Sequence, residues 1–206
     1  MVVISRVKEI SQERGKISFF SHGHRLLIEG FTERLYIRSY QDSDLESCLD
    51  LYSDEEITKY FDNGKPRTAQ QILEYIKERG RRYFDRGEPF GLFSVFLKDS
   101  FTFIGQVDLV PTGNPGEVEI GWIFLKDFHN KGYCTEAVQD FLLPLIQGLY
   151  KRNYQSTGLT INRIIATAHP KNIASNKIIQ KAGLAFYQSS LRYEGNPRNW
   201  YSLNLI

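Results

Sequence analysis

The chain has 206 residues, 41% of them hydrophobic and 24% charged, with 16 glycines and 7 prolines, which excludes a disordered or collagen-like protein. That length suits one compact domain, or one with an appendage, and can bury a sizeable core without disulfide staples. The net charge of +2 resides in residues 1–31 (five basic, three acidic side chains), and the remaining 21 basic and 21 acidic groups cancel, which argues against a broad nucleic-acid binder.

In chain order, residues 1–31 read as an N-terminal extension, a loop or flexible arm. His22-Gly23-His24 has no third ligand nearby, so no metal is expected. From Arg34 onward Leu35, Ile37 and Ser39 alternate with Tyr36, Arg38 and Tyr40, the period of a strand. Ser43-x-x-Glu46 is expected to cap a helix through Leu49 and Tyr52, and Ser53-x-x-Glu56 a short turn ending near Phe61. Thr68-x-x-Gln71 should open a longer helix reaching Phe84, with Gly80 inside it and Gly87 closing it. Strands are predicted over 90–97, 101–110 and 117–124. A helix over 135–148 contains Pro144, which should kink or shorten it. Residues 151–160 look loop-like. A strand over 163–168, a helix over 174–182 ended by Gly183, and strands over 184–193 and 200–206 follow, the last two joined at Glu194–Pro197. Strands and helices in this order make an α/β (α+β) domain, a mixed sheet with helices on both faces.

The chemistry concentrates where Glu119–Phe124, read as a strand, passes through a short loop into a helix at Thr135. The free N–H groups of such a helix start, the helix dipole and Lys131 suit a phosphate or pyrophosphate. The loop lacks the Gly-Lys-Ser/Thr of a Walker site and the three glycines of a dinucleotide fingerprint. Between Asp140 and Glu194 there is no acidic residue, while Lys151, Arg152, Arg163, Lys171, Lys177, Lys181 and Arg192 are basic. That stretch is either a solvated face or a positive wall for a small polyanion. Cys48 and Cys134 are the only cysteines. There is no disulfide framework, no secretory signal and no apolar run of the ~20 residues that span a bilayer, so a reducing cytoplasm and no membrane are expected.

The segment His129-Asn130-Lys131-Gly132-Tyr133-Cys134 resembles the acyl-CoA-binding motif of the GNAT superfamily of N-acetyltransferases. Tyr133-x-Thr135-Glu136-Ala137, Thr32-Glu33-Arg34-Leu35-x-Ile37-Arg38, Glu119-Ile120-Gly121-Trp122, His169-Pro170-x-Asn172-x-x-Ser175 and Lys181-x-Gly183 are similar to its RimJ/RimL-like branch, which includes the ribosomal-protein alanine acetyltransferases. The resemblance covers residues 32–206 and leaves 1–31 outside. It departs from the pattern at His129 (usually Gln or Arg), Asn130 (usually a second Gly), Cys134 (usually Gly or Ala) and Leu184 (commonly Phe). Ile179 stands where many relatives have a tyrosine acid.

The resemblance implies a mostly antiparallel GNAT-like sheet of about seven strands. It also implies direct transfer of an acetyl group from acetyl-CoA to a primary amine, without an acyl-enzyme and without metal. Trp122, Ile123, Phe124, His129, Asn130, Lys131, Gly132, Tyr133, Cys134, Thr135, Asn172 and Lys181 would hold the co-substrate, with a strand N–H near Trp122–Phe124 meeting the acyl oxygen. Asn172 could instead be an N-cap, and Lys177 and Lys181 solvated helix lysines. Glu119 is the candidate base, or else a salt-bridged strand carboxylate, with Asp108 as runner-up. Ser175 would donate to the leaving thiolate, or cap its helix. Tyr60, Phe61 and Tyr193 are candidates for the acceptor pocket, or core. The acceptor would be a small amine or a protein N-terminal α-amine, and a homodimer is compatible with this reading. An acyl-CoA-binding regulatory module with little catalysis is the alternative.

Overall fold

The computed structural model describes residues 5–12 and 15–205. Ten strands form one sheet, in the spatial order β1 (Ser5–Gln12), β2 (Gly15–His22), β3 (Arg25–Phe31), β4 (Leu35–Ser39), β5 (Gly91–Leu97), β6 (Phe103–Pro111), β7 (Glu117–Phe124), β10 (Arg163–Ala168), β12 (Asn196–Asn204) and β11 (Ala185–Arg192), and every neighbouring pair is antiparallel except β7 and β10. The mixed, mostly antiparallel architecture is as expected, but the sheet is wider than seven strands. The additional three are β1 (Ser5–Gln12), β2 (Gly15–His22) and β3 (Arg25–Phe31), an antiparallel meander laid onto β4 (Leu35–Ser39). The expected arm is therefore strand over its described residues, while residues 1–4 and 13–14 lie outside them. The cause is a short period-2 pattern in which Ile17, Phe19 and Ile28 bury in the same cluster as Phe141.

The sheet separates two apolar layers. On one side Val138, Phe141, Leu142 and Leu145 of the helical run α4 (Tyr133–Glu136, Ala137–Leu142, Leu143–Lys151) cluster with Val107, Leu109, Ile120 and Ile164. On the other, Cys48, Leu51 and Tyr52 of α1 (Leu45–Ser53) and Ile72 and Ile76 of α3 (Ala69–Tyr75, Ile76–Arg81) cluster with Tyr40, Leu92 and Ile123. Each fully buried Leu, Ile or Phe contributes roughly 1.5–3 kcal/mol, so both layers stabilise the sheet they cover.

Helix starts follow the strongest local acceptor. The Thr68–Gln71 box forms as read, with Gln71 N–H donating to Thr68 Oγ1 at 3.3 Å and Thr68 N–H to Gln71 Oε1 at 2.9 Å. Ser43 does not cap α1. Asp44 is the N-cap residue of α1 but makes no side-chain cap bond; its carboxylate is bidentate to Arg38 at 2.6 and 2.7 Å and accepts the Gln41 N–H at 3.0 Å, which fixes the turn before the helix. Asp54, not Ser53, caps α2 (Glu55–Thr58), accepting from Ile57 N–H at 2.9 Å. Pro144 does not shorten α4. The preceding residues Ala137–Leu142 open into a π-turn, and Leu143 N–H donates to Val138, five residues back, which gives the proline ring room. α3 opens the same way, with Arg82 N–H donating to Lys77 at 3.1 Å, and it ends at Arg81 rather than Phe84. The loop expected at 151–160 contains a two-residue ribbon, β8 (Gln155–Ser156) with β9 (Leu159–Thr160). The last hairpin joins β11 (Ala185–Arg192) to β12 (Asn196–Asn204) through left-handed residues Tyr193, Glu194 and Gly195, so Asn196 and Pro197 belong to the strand; the expected end at Ile206 lies outside the described residues.

The central strands are β5 (Gly91–Leu97), β6 (Phe103–Pro111), β7 (Glu117–Phe124) and β10 (Arg163–Ala168). β6 and β7 stay paired from Pro111↔Val118 to Gly105↔Phe124. A Cβ at Gly105 would lie 2.5 Å from the Ile123 carbonyl and 2.8 Å from Phe124 Cα. Gly105→Ala is expected to cost about 1–3 kcal/mol, because two of the three atoms the methyl would meet are paired backbone and the third is the ring root of buried Phe124. Urea unfolding should show a lower midpoint at unchanged slope, and an unchanged midpoint would contradict the close approach.

Candidate active site

β7 and β10 pair over only three residues, Glu117–Glu119 against Arg163–Ile165, and then diverge. The opening between them is a cleft of about 590 Å³. On its other edge Leu125 N–H donates to Ile104 O, so strand alternation turns the main-chain groups of Ile120, Trp122 and Phe124 away from β6 and toward the cleft. His129 bonds the Phe124 carbonyl through Nε2 at 2.8 Å. The Trp122 indole donates to Ser175 Oγ at 3.2 Å, joining the two walls. That bond occupies a lone pair of Ser175 and leaves its hydrogen free to donate. Ser175 lies in the first turn of α5 (Ile173–Lys181), where Asn172 is the N-cap and accepts the Ser175 N–H at 3.1 Å. Asn176 ties this helix to β12 by accepting from Tyr201 Oη at 2.6 Å and Asn199 Nδ2 at 3.1 Å.

At one end of the cleft α4 begins. Its N-cap is Gly132, left-handed at φ 83°, preceded by left-handed Asn130 at φ 59°. A glycine cap has no side-chain oxygen, so the first-turn N–H groups of Tyr133, Cys134 and Thr135 are left for a ligand; the first intrahelical bond is Glu136 N–H to Gly132 O at 3.0 Å. The loop is held from behind. The buried Glu136 carboxylate accepts from Thr32 Oγ1, from Arg34 N–H at 2.8 Å and from Arg34 Nε at 2.7 Å. Arg34 also donates to the Lys131 carbonyl at 3.0 Å and covers the Tyr133 ring at 4.5 Å. Lys177 and Lys181 line the facing wall. Burial pushes the Cys134 thiol well up and lifts Cys48 to about 12, so neither is a thiolate at neutral pH.

At the other end sit Tyr60, Phe61, Tyr75, Tyr193, Arg79, Asp108, Glu119 and Arg198. Glu119 is clamped by Arg192, with Nη1–Oε1 at 2.6 Å and Nη2–Oε2 at 2.9 Å. Arg79, presented by the π-turn of α3, lies 3.6 Å from Asp108 and 3.9 Å from Glu119. Asp108 Oδ1 has no hydrogen-bond partner. Its carboxyl rests above Gly121, where a Cβ would come within 2.3 Å of Oδ1. Burial raises the Asp108 carboxyl to about 6, against the pull of nearby Arg79 and with the help of Glu119 and Asp62.

The cleft brings together Glu119 and Ser175, the residues Trp122, Ile123, Phe124, His129, Asn130, Gly132, Tyr133, Cys134, Thr135, Asn172 and Lys181, and the aromatics Tyr60, Phe61 and Tyr193. Lys131 is not in the lining; its ammonium lies 5.6 Å over the Phe128 ring. Sequence reading missed Arg79 and Arg198, and it placed Arg192 only within a basic stretch. Nothing in Lys77–Arg82 shows which basic side chain a π-turn aims inward.

A family model described as "Acetyltransferase (GNAT) domain" matches residues 34–185. The uncharacterized N-acetyltransferase YnaD of Bacillus subtilis is 29% identical over 153 residues, covering 74% of this chain and 80% of the relative. Spermidine N-acetyltransferase from Vibrio cholerae, solved with CoA and spermine, superposes with a TM-score of 0.65 at 15% identity, over 84% of this chain and 96% of that one. RimL, a ribosomal L7/L12 α-N-protein acetyltransferase solved with coenzyme A, superposes with a TM-score of 0.64 at 13% identity, over 84% and 96%. At such identities the two structures establish likeness of fold.

Glu136→Gln removes the charge that three donors share while keeping the side chain's shape. The expected result is a loss of about 1–3 kcal/mol of stability and a weakening of CoA affinity by several-fold, read by denaturation and calorimetry. Unchanged CoA affinity would show that the loop holds its shape without the clamp.

Proposed function

The chain belongs to the GNAT family of N-acetyltransferases, and on that premise we propose that it transfers an acetyl group from acetyl-CoA directly to a primary amine, with Asp108 as the proton acceptor. The observation that carries the proposal is the divergence of β7 from β10, which turns unpaired main-chain groups of β7 and the uncapped start of α4 toward one cavity. Bound acetyl-CoA would supply the thioester. Tyr133, Cys134 and Thr135 N–H groups, with Lys177 and Lys181, would hold its phosphates. Asn172, its Oδ1 spent on the helix cap, has its amide hydrogens left for the pantetheine arm. The main-chain N–H of Trp122 or Phe124 is turned toward the place where negative charge would gather on the acyl oxygen.

The acceptor amine must be neutral to attack. An α-amine with a pKa of about 7.7–8.0 needs only modest help near neutrality, whereas a lysine at ~10.4 needs far more. Asp108 fits this role better than Glu119, because one of its oxygens is unengaged and its carboxyl is raised to about 6. Glu119 has both oxygens engaged in a two-point ion pair with Arg192. Its role in this reading is to fix the last hairpin against the cleft. Ser175 keeps its proton for a departing sulfur, and Ile179, fully buried, offers no acid. The acceptors named for the structural neighbours, a ribosomal-protein α-amine and spermidine, frame the panel to be tested.

CoA release with acetyl-CoA and an amine panel tests the reaction; no release with any amine would end the proposal. Asp108→Asn should lower kcat by roughly 10²–10³-fold and remove a rising limb of the pH–rate profile near pH 6. Because the folded protein holds the Asp108 proton more tightly than the unfolded chain does, the stability this group contributes is lost as pH rises through about 6. The Asn variant should therefore be at least as stable as wild type at pH 7–8, which separates lost chemistry from lost fold. Persistence of the limb in that variant would exclude Asp108 as the base. Ser175→Ala should slow turnover roughly 10- to 100-fold without weakening CoA binding, since a thiol near pKa ~8.5 needs only partial protonation to leave.

A further inference from the structure

The charges lining the cleft are unevenly satisfied. Four carboxylates face it, and three already have a bonded cation: Glu56 with Lys126, Asp62 with Arg67 and Glu119 with Arg192. Only Asp108 lacks a hydrogen-bonded cation: Arg79 stands off at 3.6 Å, the Gly121 backbone is its one hydrogen-bonding neighbour, and its Oδ1 has no partner. Among the cations, Arg198 is the anomaly. Its side chain lines the cleft and is only 4% exposed, yet it is bonded to no carboxylate. Nη1 donates to the Tyr60 carbonyl at 2.8 Å and Nη2 to the Asp62 carbonyl, while Nε–H, also buried, has no partner. Main-chain carbonyls are weak compensation for a buried guanidinium. Tyr193 stacks over it at 5.0 Å, and Tyr60 stacks on His169 at 5.0 Å, so aromatic walls border the cation.

One open anion and one under-satisfied buried cation in the same end of one cleft fit a ligand carrying the opposite pair. We infer that the acceptor is a small amine that also bears a carboxylate, as a free amino acid does, with its amino group toward Asp108 and its carboxylate toward Arg198, assisted by Arg79. This rests on the transferase reading. A polyamine fits poorly, since after Asp108 takes one ammonium every other lining carboxylate is already paired. Arg79 and Arg198 would then repel the second cation. A protein N-terminus brings no carboxylate beside its amine, and it would leave Arg198 as it stands.

The test compares matched acceptors on the wild-type protein: free L-amino acids, the corresponding amino-acid amides, a diamine of similar length, and short peptides, some with an acidic second residue. The expected result is a kcat/KM for the free acid about 10- to 100-fold above that of its amide, the discrimination a charged hydrogen-bonded pair provides. Arg198→Gln should reduce that ratio toward one, by raising KM for the acid more than KM for the amide. If the variant does not fold, the wild-type acid-to-amide ratio decides alone. Equal rates for acid and amide, or a preference for the diamine or for peptides, would overturn this inference and leave the transferase standing. No CoA release with any amine would remove both.

Discussion

Everything functional in this fold depends on two parallel strands that begin together and do not stay together. β7 and β10 share three residues of pairing and then part. Buried main-chain groups left without partners cost roughly 1–3 kcal/mol each. A chain tolerates that only where solvent or a ligand can reach them, as it can in an open cleft. The separation is braced rather than loose. α5 lines the cleft together with the end of β10, anchored by Asn176 to Tyr201 and Asn199, and the Trp122–Ser175 bond fixes the gap from side to side. The opposite edge of β7 stays paired to β6 throughout, so the polar groups facing the cleft are set by sheet alternation.

The two ends of the cleft differ in their electrostatics, one positive and the other mixed in charge. The end at α4 relies on main-chain dipoles, two lysines and a wall drawn from the acid-free stretch 141–193, while its one buried carboxylate, Glu136, faces backward to Thr32 and Arg34. That end suits a polyanion held by many modest contacts. The other end packs arginines and carboxylates among tyrosines, where burial makes each missing partner costly. There the raised Asp108 carboxyl follows directly, as does the requirement for glycine at 121, since any side chain would displace the carboxylate. Affinity and chemistry are thus assigned to different ends by the same sheet.

Much of this was legible in the sequence. The strand over 117–124, the strand over 163–168, the Thr68 box and the closing glycine at 183 fall where periodicity and turn chemistry put them, because local signals there agree with the tertiary environment, whereas Gly87 closes a separate short turn, Phe84–Arg86, beyond the end of α3. Ser53 is not the cap because Asp54 next to it takes the Ile57 N–H, and Ser43 is not because α1 starts one residue later, at an Asp44 whose carboxylate is held by Arg38. Residues 15–31 gave too short an alternation to declare strands, which are stabilised by Phe141 from more than a hundred residues away. Among the site residues, those on the strand–loop–helix segment were readable as a motif. Arg79 and Arg198 were not, because a π-turn and a hairpin register decide which arginine of several points inward.

Hydrogen exchange on the full chain, with and without CoA, tests the central claim most directly. The account predicts that added CoA slows exchange at the amides of Tyr133, Cys134 and Thr135 and at the cleft-facing amides of Trp122 and Phe124, while β1 to β3 stay unchanged. Binding without protection at those amides, or protection elsewhere in their place, would mean that the divergence of β7 from β10 is not where the ligand sits.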